Sequence, residues 1–379
     1  MGKAVFKSES VMNCMGRVIK VCHMTSAHEW NDVRIFMKMC HSLREAGYDV
    51  SLVAAGESRE CDGIHVVGCG EKPVGRRARM GGFARKVYET ARALDCDIYH
   101  FHDPELLPYG LKLKKAGKKV IFDSHEDVPE QIMSKYWLPR PLRWTVSRLY
   151  KAYESYAVAK FDAVVTATST IAGKFSSRAK NVVVVNNYPR LDDIVFQTKP
   201  FEERSASICY AGGLDEIRGG KIMVDAVKKL DDIRLVLAGL CDEAIKASFS
   251  DECNISYLGI VSRKDVNLMY SDSVAGIVIY QPAPNHFSAQ PIKMFEFMAA
   301  GLPVIASDFP LLKKIIENSG CGICVNPTKS DEVRRACLKL VNNRELGKKM
   351  GLAGRKYVVE KYNWAVEEKK LVNLYQSLQ

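Results

Sequence analysis

The sequence contains no long hydrophobic run, which excludes a membrane-spanning helix. A helix needs roughly 18 consecutive apolar residues to cross a bilayer, and no stretch of the 379 residues approaches that length. The opening residues have no apolar core like that of a signal peptide, and Phe6 stands where an N-myristoylation pattern requires Ser or Thr. We therefore expect a cytoplasmic protein.

Paired cysteine motifs and nucleic-acid-binding motifs are also missing. The 12 cysteines are scattered, and the one Cys-x-x-Cys motif, from Cys321 to Cys324, has no second pair with which to complete a zinc site. Reduced thiols in an apolar core are the simplest interpretation for a cytoplasmic chain of this size. Since no RNA- or DNA-binding motif occurs either, no nucleic-acid partner is predicted.

Positive charge is what the sequence has in excess, and it is placed unevenly. The formal net charge is +11; residues 1–190 carry 30 Lys and Arg against 20 Asp and Glu, whereas residues 191–379 carry 25 against 24. The N-terminal half is therefore expected to face something anionic, such as a membrane surface or a pyrophosphate carrier. Residues 135–151 combine five cations with Trp137, Trp144 and leucines, and they contain no acid. This segment either lies on an anionic membrane surface or is an ordinary helix that packs its Trp and Leu side chains inward.

Short apolar runs alternate with helix-length segments along most of the chain. In the first half the predicted strands are residues 17–24, 48–55, 64–68, 98–102, 119–124, 163–167 and 182–186. After a charged stretch the pattern restarts with residues 207–212, 234–239, 255–258, 275–280, 303–307 and 322–325. Such alternation is typical of parallel, doubly wound sheets. We predict two Rossmann-like α/β domains, residues 1–189 and 206–362, with a linker at 190–205 and a final helix at 363–379.

The segment from residue 280 to residue 310 is predicted to form a loop, a helix and a buried strand. Pro291 suits a first helical turn, and Gly301 followed by Pro303 is a common way for a helix to end. Free N–H groups at the start of such a helix favour phosphate or sugar oxygens. Lys293 and Glu296 are three residues apart and share one face of the helix. Lys293 can meet a phosphate there and Glu296 a ribose, although the pair alone would be an ordinary surface ion pair.

The run Met298-Ala-Ala-Gly-Leu-Pro-Val-Ile-Ala306 resembles the nucleotide-sugar motif of the retaining glycosyltransferases of family 4, which have the GT-B fold. Members of this family carry an E-x7-E pattern across the preceding loop and the helix start. Glu296 matches the second Glu, whereas Ser288 stands at the first position. The resemblance spans nearly the whole chain. It implies two Rossmann-like domains that face a cleft, with the final helix crossing back onto the N-terminal domain.

A glycine-rich turn after a predicted strand extends the resemblance, although alone it would be a plain exposed turn. Family members carry two cations here that grip the donor diphosphate. Gly213 stands at the first cation position and Arg218 matches the second, where Arg adds a planar fork that fits phosphate. We expect a UDP- or GDP-sugar as donor substrate and no cofactor. The resemblance implies these donor-binding residues: Gly212, Gly213, Arg218, Ser288, Gln290, Pro291, Ile292, Lys293 and Glu296.

The first loop and one later strand end supply the predicted acceptor-binding residues. His28, Asp32 and Arg34 form a pattern that resembles a bacterial branch of the family that builds surface polysaccharides, although Asp32 could equally cap the following helix. His102 ends a predicted strand and Asp103 follows it, where Asp103 alone would be an ordinary N-cap.

The resemblance also implies a mechanism. Retention needs either a carboxylate nucleophile or same-face attack assisted by the leaving phosphate, and Ser288 is a poor nucleophile. We therefore expect Arg218 and Lys293 to stabilise the leaving diphosphate. No metal is expected to be required, because we identify no Asp-x-Asp motif. His125 matches a family histidine that faces the donor sugar, although a lone His at a strand end is more commonly structural. The predicted catalytic residues are His125, Arg218 and Lys293.

The sequence thus predicts a retaining hexosyltransferase that uses a nucleotide sugar. The acceptor is expected to be a saccharide, lipid-linked in most such systems, in capsule, O-antigen or exopolysaccharide assembly on the inner face of the cell membrane. Three alternatives stay open: a nucleotide-sugar epimerase, a phosphorylase, and a degenerate family member that binds nucleotide without transferring sugar.

Overall fold

The structure is a computed structural model that describes residues 16–125, 127–134, 139–196, 198–284 and 286–379. The described chain forms two compact α/β units. Unit 1 contains the residues up to Asn187 together with Glu367–Gln379, and unit 2 contains Tyr188–Val366. No helix among the described residues has the length and apolarity needed to span a bilayer.

Unit 1 is built on an eight-stranded sheet. Its strands are β1 Lys20–Met24, β2 Asp49–Ala54, β3 Arg59–Cys61, β4 Ile64–Gly68, β5 Ile98–Phe101, β6 Lys119–Ser124, β7 Ala163–Thr166 and β8 Val182–Val184. They lie in the order β3-β4-β2-β1-β5-β6-β7-β8. All neighbours are parallel except β3 and β4. The central strands β1, β5 and β6 are buried at nearly every position, because helices cover both faces of a doubly wound sheet.

Strand β3 is the one strand of this sheet that the sequence analysis missed. It is three residues long and mostly exposed, so it has no apolar run. It forms a hairpin with β4 through Asp62 and Gly63, whose φ angles are 53° and 71°. Asp-Gly is the dipeptide that favours such a turn, so this signal was present in the sequence.

The helices of unit 1 follow the strands in the expected alternation. A π-helical turn, Ile35–Cys40, continues as α1 His41–Glu45. The others are α2 Arg76–Ala78, α3 Ala84–Ala93, α4 Leu107–Lys115, α5 Val128–Ser134, α6 Arg140–Val158 and α7 Ser169–Phe175. Helix α6 contains most of the basic segment predicted at residues 135–151, whereas Lys135 and Trp137 lie outside the described residues.

Unit 2 is built on a six-stranded, fully parallel sheet. Its strands are β9 Ser207–Ala211, β10 Arg234–Ala238, β11 Ile255–Tyr257, β12 Ala275–Val278, β13 Val304–Ser307 and β14 Gly322–Val325. They lie in the order β11-β10-β9-β12-β13-β14. The helices are α8 Gly220–Val227, α9 Glu243–Ala247, α10 Arg263–Asp272, α11 Ile292–Ala300, α12 Pro310–Ser319, α13 Ser330–Asn342 and α14 Arg344–Lys361, and α15 Trp364–Gln376 ends the chain. The prediction of two parallel-sheet α/β domains is therefore confirmed.

Helix α11 is held against the sheet by one close fit. The ring of Phe297 lies over Gly276 of β12, where an added Cβ would come within 2.2 Å of a ring carbon. Every residue of α11 from Met294 to Ala300 is buried, and burying one large apolar side chain contributes about 1.5–3 kcal/mol. The packing fixes the position of the first turn of α11, which carries Lys293.

Candidate functional site

In unit 2 the predicted donor-binding residues lie at the carboxyl edge of the sheet. One loop follows β9 and another follows β12, and these two strands are neighbours in the sheet. The loops contact each other, because the N–H of Gln281 donates to the carbonyl of Ile217 at 2.8 Å. Gly219, with a φ of 82°, lies so close to the other loop that a Cβ would come 1.9 Å from the Ile279 carbonyl oxygen. The carboxyl edge of a parallel sheet is where open α/β proteins bind ligands.

The loop after β9 presents a half-exposed cation. The Arg218 side chain is 47% exposed and forms an ion pair with Asp215, and the Arg218 N–H donates to the same carboxylate at 2.7 Å. The hydroxyl of Tyr210 donates to the Gly213 carbonyl at 3.0 Å. A side chain at Gly212 would collide with this hydroxyl, since an added Cβ would come within 2.9 Å of it.

The loop before α11 leads into an uncapped helix start. Pro291 is the N-cap residue and Ile292 the first helical residue, and the Pro291 side chain makes no capping hydrogen bond. The Gln290 side chain accepts a hydrogen bond from the Tyr188 hydroxyl at 2.7 Å, and Ser288 lies partly exposed in the preceding turn. The first-turn N–H groups of such a helix favour an anion.

Glu296 is buried and surrounded by donors. Its Oε1 accepts from Arg263 Nη2 at 3.1 Å, and its Oε2 accepts from Arg263 Nη1, Tyr270 Oη and Lys293 Nζ at 3.2, 2.8 and 3.0 Å. Burial alone would raise the pKa of this carboxyl, but Lys293 and Arg263 lower it to about 2. The residues predicted to meet a ribose and a phosphate, Glu296 and Lys293, therefore bind each other.

Arg263 lies on the solvent side of this cluster. The Arg263 side chain is 42% exposed, whereas the Glu296 side chain is 2% exposed, and the Lys293 side chain is 23% exposed. The Glu296 carboxylate can bind a ligand only if Arg263 or Lys293 moves away, or if the ligand shares the carboxylate with them. The binding of ribose by Glu296 and of phosphate by Lys293 stays a prediction.

In unit 1 the predicted acceptor-binding residues lie at the carboxyl ends of β1 and β5. His28 lies between two carboxylates, with Nδ1 3.4 Å from Asp32 and Nε2 3.6 Å from Asp103. The hydrogen bond with Asp32 is the main reason that the pKa of His28 is raised. Burial would raise the pKa of Asp32, but His28 and the N–H of Ile35 lower it to about 2. His28 is about one-third exposed, so an imidazole flanked by two carboxylates borders solvent here.

Asp32 and Asp103 also organise the surrounding backbone. Asp32 Oδ1 accepts from the N–H groups of Arg34 and Ile35 at 2.8 and 2.9 Å, so Asp32 caps the following helix and contacts His28 at once. Asp103 Oδ2 accepts from the Ser26 N–H and the Thr25 hydroxyl at 2.6 and 2.8 Å. The first loop is thereby fixed to the end of β5.

Arg34 and His102 lie beneath this loop and away from solvent. Arg34 is 6% exposed and His102 is 1% exposed. The Arg34 guanidinium binds Asp123 with two hydrogen bonds of 2.9 and 3.0 Å, and His102 Nδ1 donates to the same carboxylate at 3.1 Å. Burial would raise the pKa of Asp123, but Arg34 and His102 hold it well below its usual range. In this structure Arg34 and His102 support the site from behind; direct contact with an acceptor stays a prediction.

A chain of buried imidazoles continues from His102. His23 Nδ1 lies 2.9 Å from His102 Nε2, and the Tyr375 hydroxyl lies 2.8 Å from His100 Nδ1 and 3.3 Å from His23 Nε2. Burial lowers the pKa of His23 and of His100 well below the usual range. The ligand atoms of the three histidines lie within 4.8 Å of one another, but His23 and His100 stack on His102 at 17° and 21°. A shared metal must lie in every ring plane, so the stacking favours a hydrogen-bonded cluster.

His125 follows β6 at the same edge of the sheet. Its ring contacts that of His28 edge-on, with centroids 5.1 Å apart. Among the described residues, Nδ1 of His125 is buried without a hydrogen-bond partner, and burial lowers the pKa of the imidazole. A neutral imidazole with an unused nitrogen can bind a substrate hydroxyl.

Two family models match the chain. The model described as "Glycosyl transferase 4-like domain" matches residues 33–187, and the model described as "Glycosyl transferases group 1" matches residues 192–357. The chain belongs to the GT4-like glycosyltransferases, and it has the GT-B fold. The prediction of a family 4 glycosyltransferase is confirmed to this extent.

Curated relatives of this glycosyltransferase include phosphatidyl-myo-inositol mannosyltransferases. The one from Mycolicibacterium smegmatis is 22% identical over 366 residues, which cover 90% of this chain and 89% of that protein. The one from Mycobacterium leprae is 24% identical over 301 residues, which cover 75% of this chain and 74% of that protein.

Solved structures with the same fold cover nearly the whole glycosyltransferase. Sucrose-phosphate synthase from Thermosynechococcus elongatus has a TM-score of 0.76 at 16% identity and covers 95% of this chain and 99% of its own. HepE from Anabaena, solved in complex with UDP and glucose, has a TM-score of 0.71 at 12% identity and covers 95% of this chain and 100% of its own. At these identities the likeness establishes the fold.

The expectation that the sequence has no Asp-x-Asp motif is wrong, because Asp95-Cys96-Asp97 is such a triplet. It lies outside the two predicted binding sites. Asp95 and Asp97 precede β5, at the edge of the sheet opposite to His102. Asp97 binds Arg17 and the Lys20 N–H at 2.5 and 2.9 Å, and Asp95 pairs with Lys118 at 2.6 Å. The triplet therefore ties strand beginnings together.

Sequence reasoning missed three groups that complete these sites: Arg263, Tyr270 and Asp123. Arg263 follows Ser262, whose capping box with Asp265 marks the start of α10. That signal locates the helix but not the contact with Glu296, which is 33 residues away. Asp123 lies in the buried strand β6, two residues before His125, and a buried acid must be paired.

Proposed function

We propose that this glycosyltransferase transfers a sugar from a nucleoside-diphosphate sugar to a saccharide hydroxyl with retention of anomeric configuration. The observation that carries the proposal is the concentration of positive charge at the carboxyl edge of unit 2. Arg218 lies in the loop after β9, Arg263 begins α10 after β11, and Lys293 lies in the first turn of α11 after β12. These three strands belong to one parallel sheet. A diphosphate leaving group is the ligand that such an edge suits.

The donor is proposed to bind with its phosphates over the two loops. The backbone at Gly212 and Gly213 carries no side chain, so a phosphate can approach it closely. Arg218 and Lys293 then contact the diphosphate oxygens, and Glu296 accepts the ribose hydroxyls. The HepE structure in complex with UDP and glucose supports a UDP-sugar by analogy of fold.

Leaving-group stabilisation is proposed to drive the chemistry. The acceptor oxygen attacks the anomeric carbon from the face on which the bond to the diphosphate breaks, and a departing phosphate oxygen takes the acceptor's proton. A double displacement would need a carboxylate at the sugar, but position 288 is Ser288 and Glu296 is enclosed by Arg263, Tyr270 and Lys293. Cations that await the developing charge act without reorganisation and commonly supply the largest catalytic term.

His125 is proposed to hold a hydroxyl of the transferred sugar. Its buried Nδ1 has no hydrogen-bond partner among the described residues, and an unpaired buried polar atom costs about 1–3 kcal/mol. A sugar hydroxyl would remove that cost. We therefore propose that His125 contributes to sugar binding and catalysis.

The acceptor is proposed to be a lipid-linked saccharide of a surface polysaccharide. The half-buried imidazole of His28 lies between Asp32 and Asp103, and these three side chains offer hydrogen-bonding groups to the hydroxyls of an acceptor. The similarity to mannosyltransferases named for phosphatidyl-myo-inositol supports a lipid-borne acceptor. Arg34 and His102 act in this proposal by positioning Asp123 and the first loop.

No divalent metal is assigned to the reaction. The cations on unit 2 supply the charge that a metal would otherwise bring to the diphosphate, and the Asp-x-Asp triplet is engaged with Arg17, Lys20 and Lys118.

A donor screen tests the proposal. Purified protein is incubated with UDP-, GDP- and ADP-sugars, with and without EDTA, and release of nucleoside diphosphate is measured. We expect release from one nucleotide class, unaffected by EDTA and abolished by Arg218→Ala combined with Lys293→Ala. No release from any donor, or release that stops with EDTA and returns with Mg²⁺, would contradict the proposal.

A further inference from the structure

Helix α6 of unit 1 exposes a continuous stripe of large apolar side chains. The stripe residues follow one another at intervals of four and three, which places them on one face of a helix. Their exposed fractions range from 38% to 67%. They are Leu142, Val146, Leu149, Tyr153 and Tyr156.

A different face of α6 packs against unit 1. Ser147, Glu154, Ala157 and Val158 are the buried residues of the helix, and the Ser147 hydroxyl donates to the Pro129 carbonyl at 3.0 Å. The packing of α6 therefore does not use the exposed stripe. For the described residues Leu142, Trp144 and Leu149, which are 47%, 53% and 67% exposed, the structure thus disagrees with the interpretation in which this segment packs its Trp and Leu side chains inward.

The surroundings of the stripe are positively charged. Arg148 lies over the ring of Trp144 at 4.4 Å, and Lys160 lies over the ring of Tyr156 at 4.9 Å. Arg140 and Lys151 are also exposed. The one acid of α6 is Glu154, which is 1% exposed and bound to Arg178 at 3.2 Å. The exposed surface of α6 consequently carries cations, aromatic rings and aliphatic side chains without an acid.

We propose that α6 docks the protein on an anionic lipid bilayer, with the stripe inserted at the level of the headgroups. The 19 residues of α6 form a cylinder about 28 Å long, and a helix with one apolar face and cationic flanks lies in the plane of such an interface. The exposed rings of Trp144 and Tyr156 suit the same depth. The cations then reach lipid phosphates while their stems cover apolar surface.

Charge complementarity favours lipid over a second copy of this chain. The spacing of the stripe would also suit a helix pair, but two copies of α6 would bring Arg148 and Lys151 together with no exposed acid on α6 to balance them. Like charges at close range oppose association. A polyanion such as RNA would bind the cations but would leave the apolar stripe in water.

The inference deepens the proposed function and rests on it at one point: a lipid-linked acceptor would be met at this surface. Docking and chemistry can nevertheless fail separately. Release of nucleoside diphosphate from a donor in vesicle-free solution reports the chemistry, whereas vesicle binding reports α6.

Vesicle sedimentation tests the docking surface. The full chain is mixed with vesicles of pure phosphatidylcholine or of an equimolar mixture with phosphatidylglycerol. One variant carries Leu142→Ser and Leu149→Ser, and a second carries Arg140→Glu and Arg148→Glu. The matched control carries Leu352→Ser and Lys356→Glu on α14 of unit 2, where Leu352 is 43% exposed. Circular dichroism and thermal melting verify that each variant is folded.

We expect wild type and control to sediment with the anionic vesicles and not with phosphatidylcholine. Each cation near an anionic surface contributes about fivefold to binding, so Arg140→Glu with Arg148→Glu should weaken it by about 25-fold or more. Leu142→Ser with Leu149→Ser should weaken it by about tenfold for each leucine. Salt should weaken it too, because the Debye length falls from about 10 Å at 0.1 M to about 3 Å at 1 M.

Three results would overturn the proposal. They are absence of wild-type binding to anionic vesicles at low salt, equal loss in the α14 control, and unchanged vesicle binding in both α6 variants. A concentration-dependent dimer that dissociates in the Leu142→Ser, Leu149→Ser variant, with no vesicle binding, would assign the stripe to a second copy instead.

Discussion

Removal of Arg263 should tighten nucleotide binding, although it deletes a cation from an anion-binding edge. Arg263 is 42% exposed and covers a carboxylate that is 2% exposed. If Glu296 accepts the ribose, Arg263 must first release at least one of its oxygens. Arg263→Ala leaves Glu296 with Tyr270 and Lys293 as donors and opens its Oε1 to a ligand.

The expected size of this effect follows from the exposure of the ion pair. A pair with so exposed a cation contributes at most about 1 kcal/mol, which corresponds to roughly five closed molecules for each open one. Because the apparent Kd is the intrinsic Kd divided by the open fraction, here about one sixth, Arg263→Ala should lower the Kd by up to about sixfold. Glu296→Gln removes a charged acceptor worth about 1.5–3 kcal/mol and should raise the Kd by about 10- to 150-fold.

Isothermal titration with UDP, GDP and their 2′-deoxy counterparts measures both effects. Wild type and Arg263→Ala should discriminate against the deoxy ligands, and Glu296→Gln should lose most of that discrimination. Arg334→Ala is the control, since it removes another Arg–carboxylate pair of unit 2, with Asp331 at 2.8 Å. Weaker binding by a folded Arg263→Ala protein would mean that Arg263 contacts the nucleotide itself. Unchanged affinity in Glu296→Gln would remove the ribose assignment.

Three further predictions concern the phosphate contacts, the buried histidines and one glycine. Arg218→Ala should weaken a nucleoside diphosphate by about 1.5–3 kcal/mol and the monophosphate much less; equal losses in titrations with both ligands would move Arg218 off the β-phosphate. Burial lowers the pKa of His100, so the unfolded chain binds protons that the folded chain does not. The free energy of unfolding should therefore fall as pH drops below about 6.5, and His100→Gln should reduce this dependence on pH by up to about 1.4 kcal/mol per pH unit. If denaturant titrations at pH 7 and pH 5 gave the same change in unfolding free energy for wild type and His100→Gln, this prediction would be contradicted. Gly219→Ala should destabilise unit 2 by at least about 1–2 kcal/mol, because Gly219 has a φ of 82° and the new Cβ would meet the Ile279 carbonyl at 1.9 Å; an unchanged melting temperature would refute that.

The fold was predictable because buried parallel strands have a recognisable sequence pattern. A strand buried on both faces is a continuous apolar run, and every such run predicted in the two halves became a strand. Arg59–Cys61 escaped because it is a short, exposed edge strand, and its Asp62-Gly63 turn went unused. The period of hydrophobicity thus locates core elements better than edge elements.

Only the parts of the candidate site that lie within a local sequence motif were predictable. Glu296 and Lys293 share a helix face, and that spacing was enough to pair them. The partner that covers them, Arg263, comes from another helix, and no local pattern encodes a contact over 33 residues. The same holds for Asp123, which joins Arg34 to His102 across three elements of unit 1.

Burial also changed what some predicted residues can do. Arg34 and His102 belong to the predicted acceptor site by position, but their side chains point into the sheet toward Asp123. His100 lies in β5 opposite His23 of β1, and His102 comes two residues later, just after β5. Residues two apart share one face of a strand, so this spacing would have indicated a buried cluster. The sequence located Arg34 and His102 near the predicted acceptor site, but only the packing showed that both are buried beneath its surface.

The stereochemistry of the new glycosidic bond shows directly whether the sugar is transferred with retention. Proton NMR of a reaction with the active nucleotide sugar, followed from the first turnover, reports the anomeric configuration of donor and product through their coupling constants. We expect the product to keep the anomeric configuration of the donor, in the presence of EDTA and with release of the nucleoside diphosphate. An inverted product would contradict leaving-group-assisted attack on the same face and with it the roles proposed for Arg218 and Lys293.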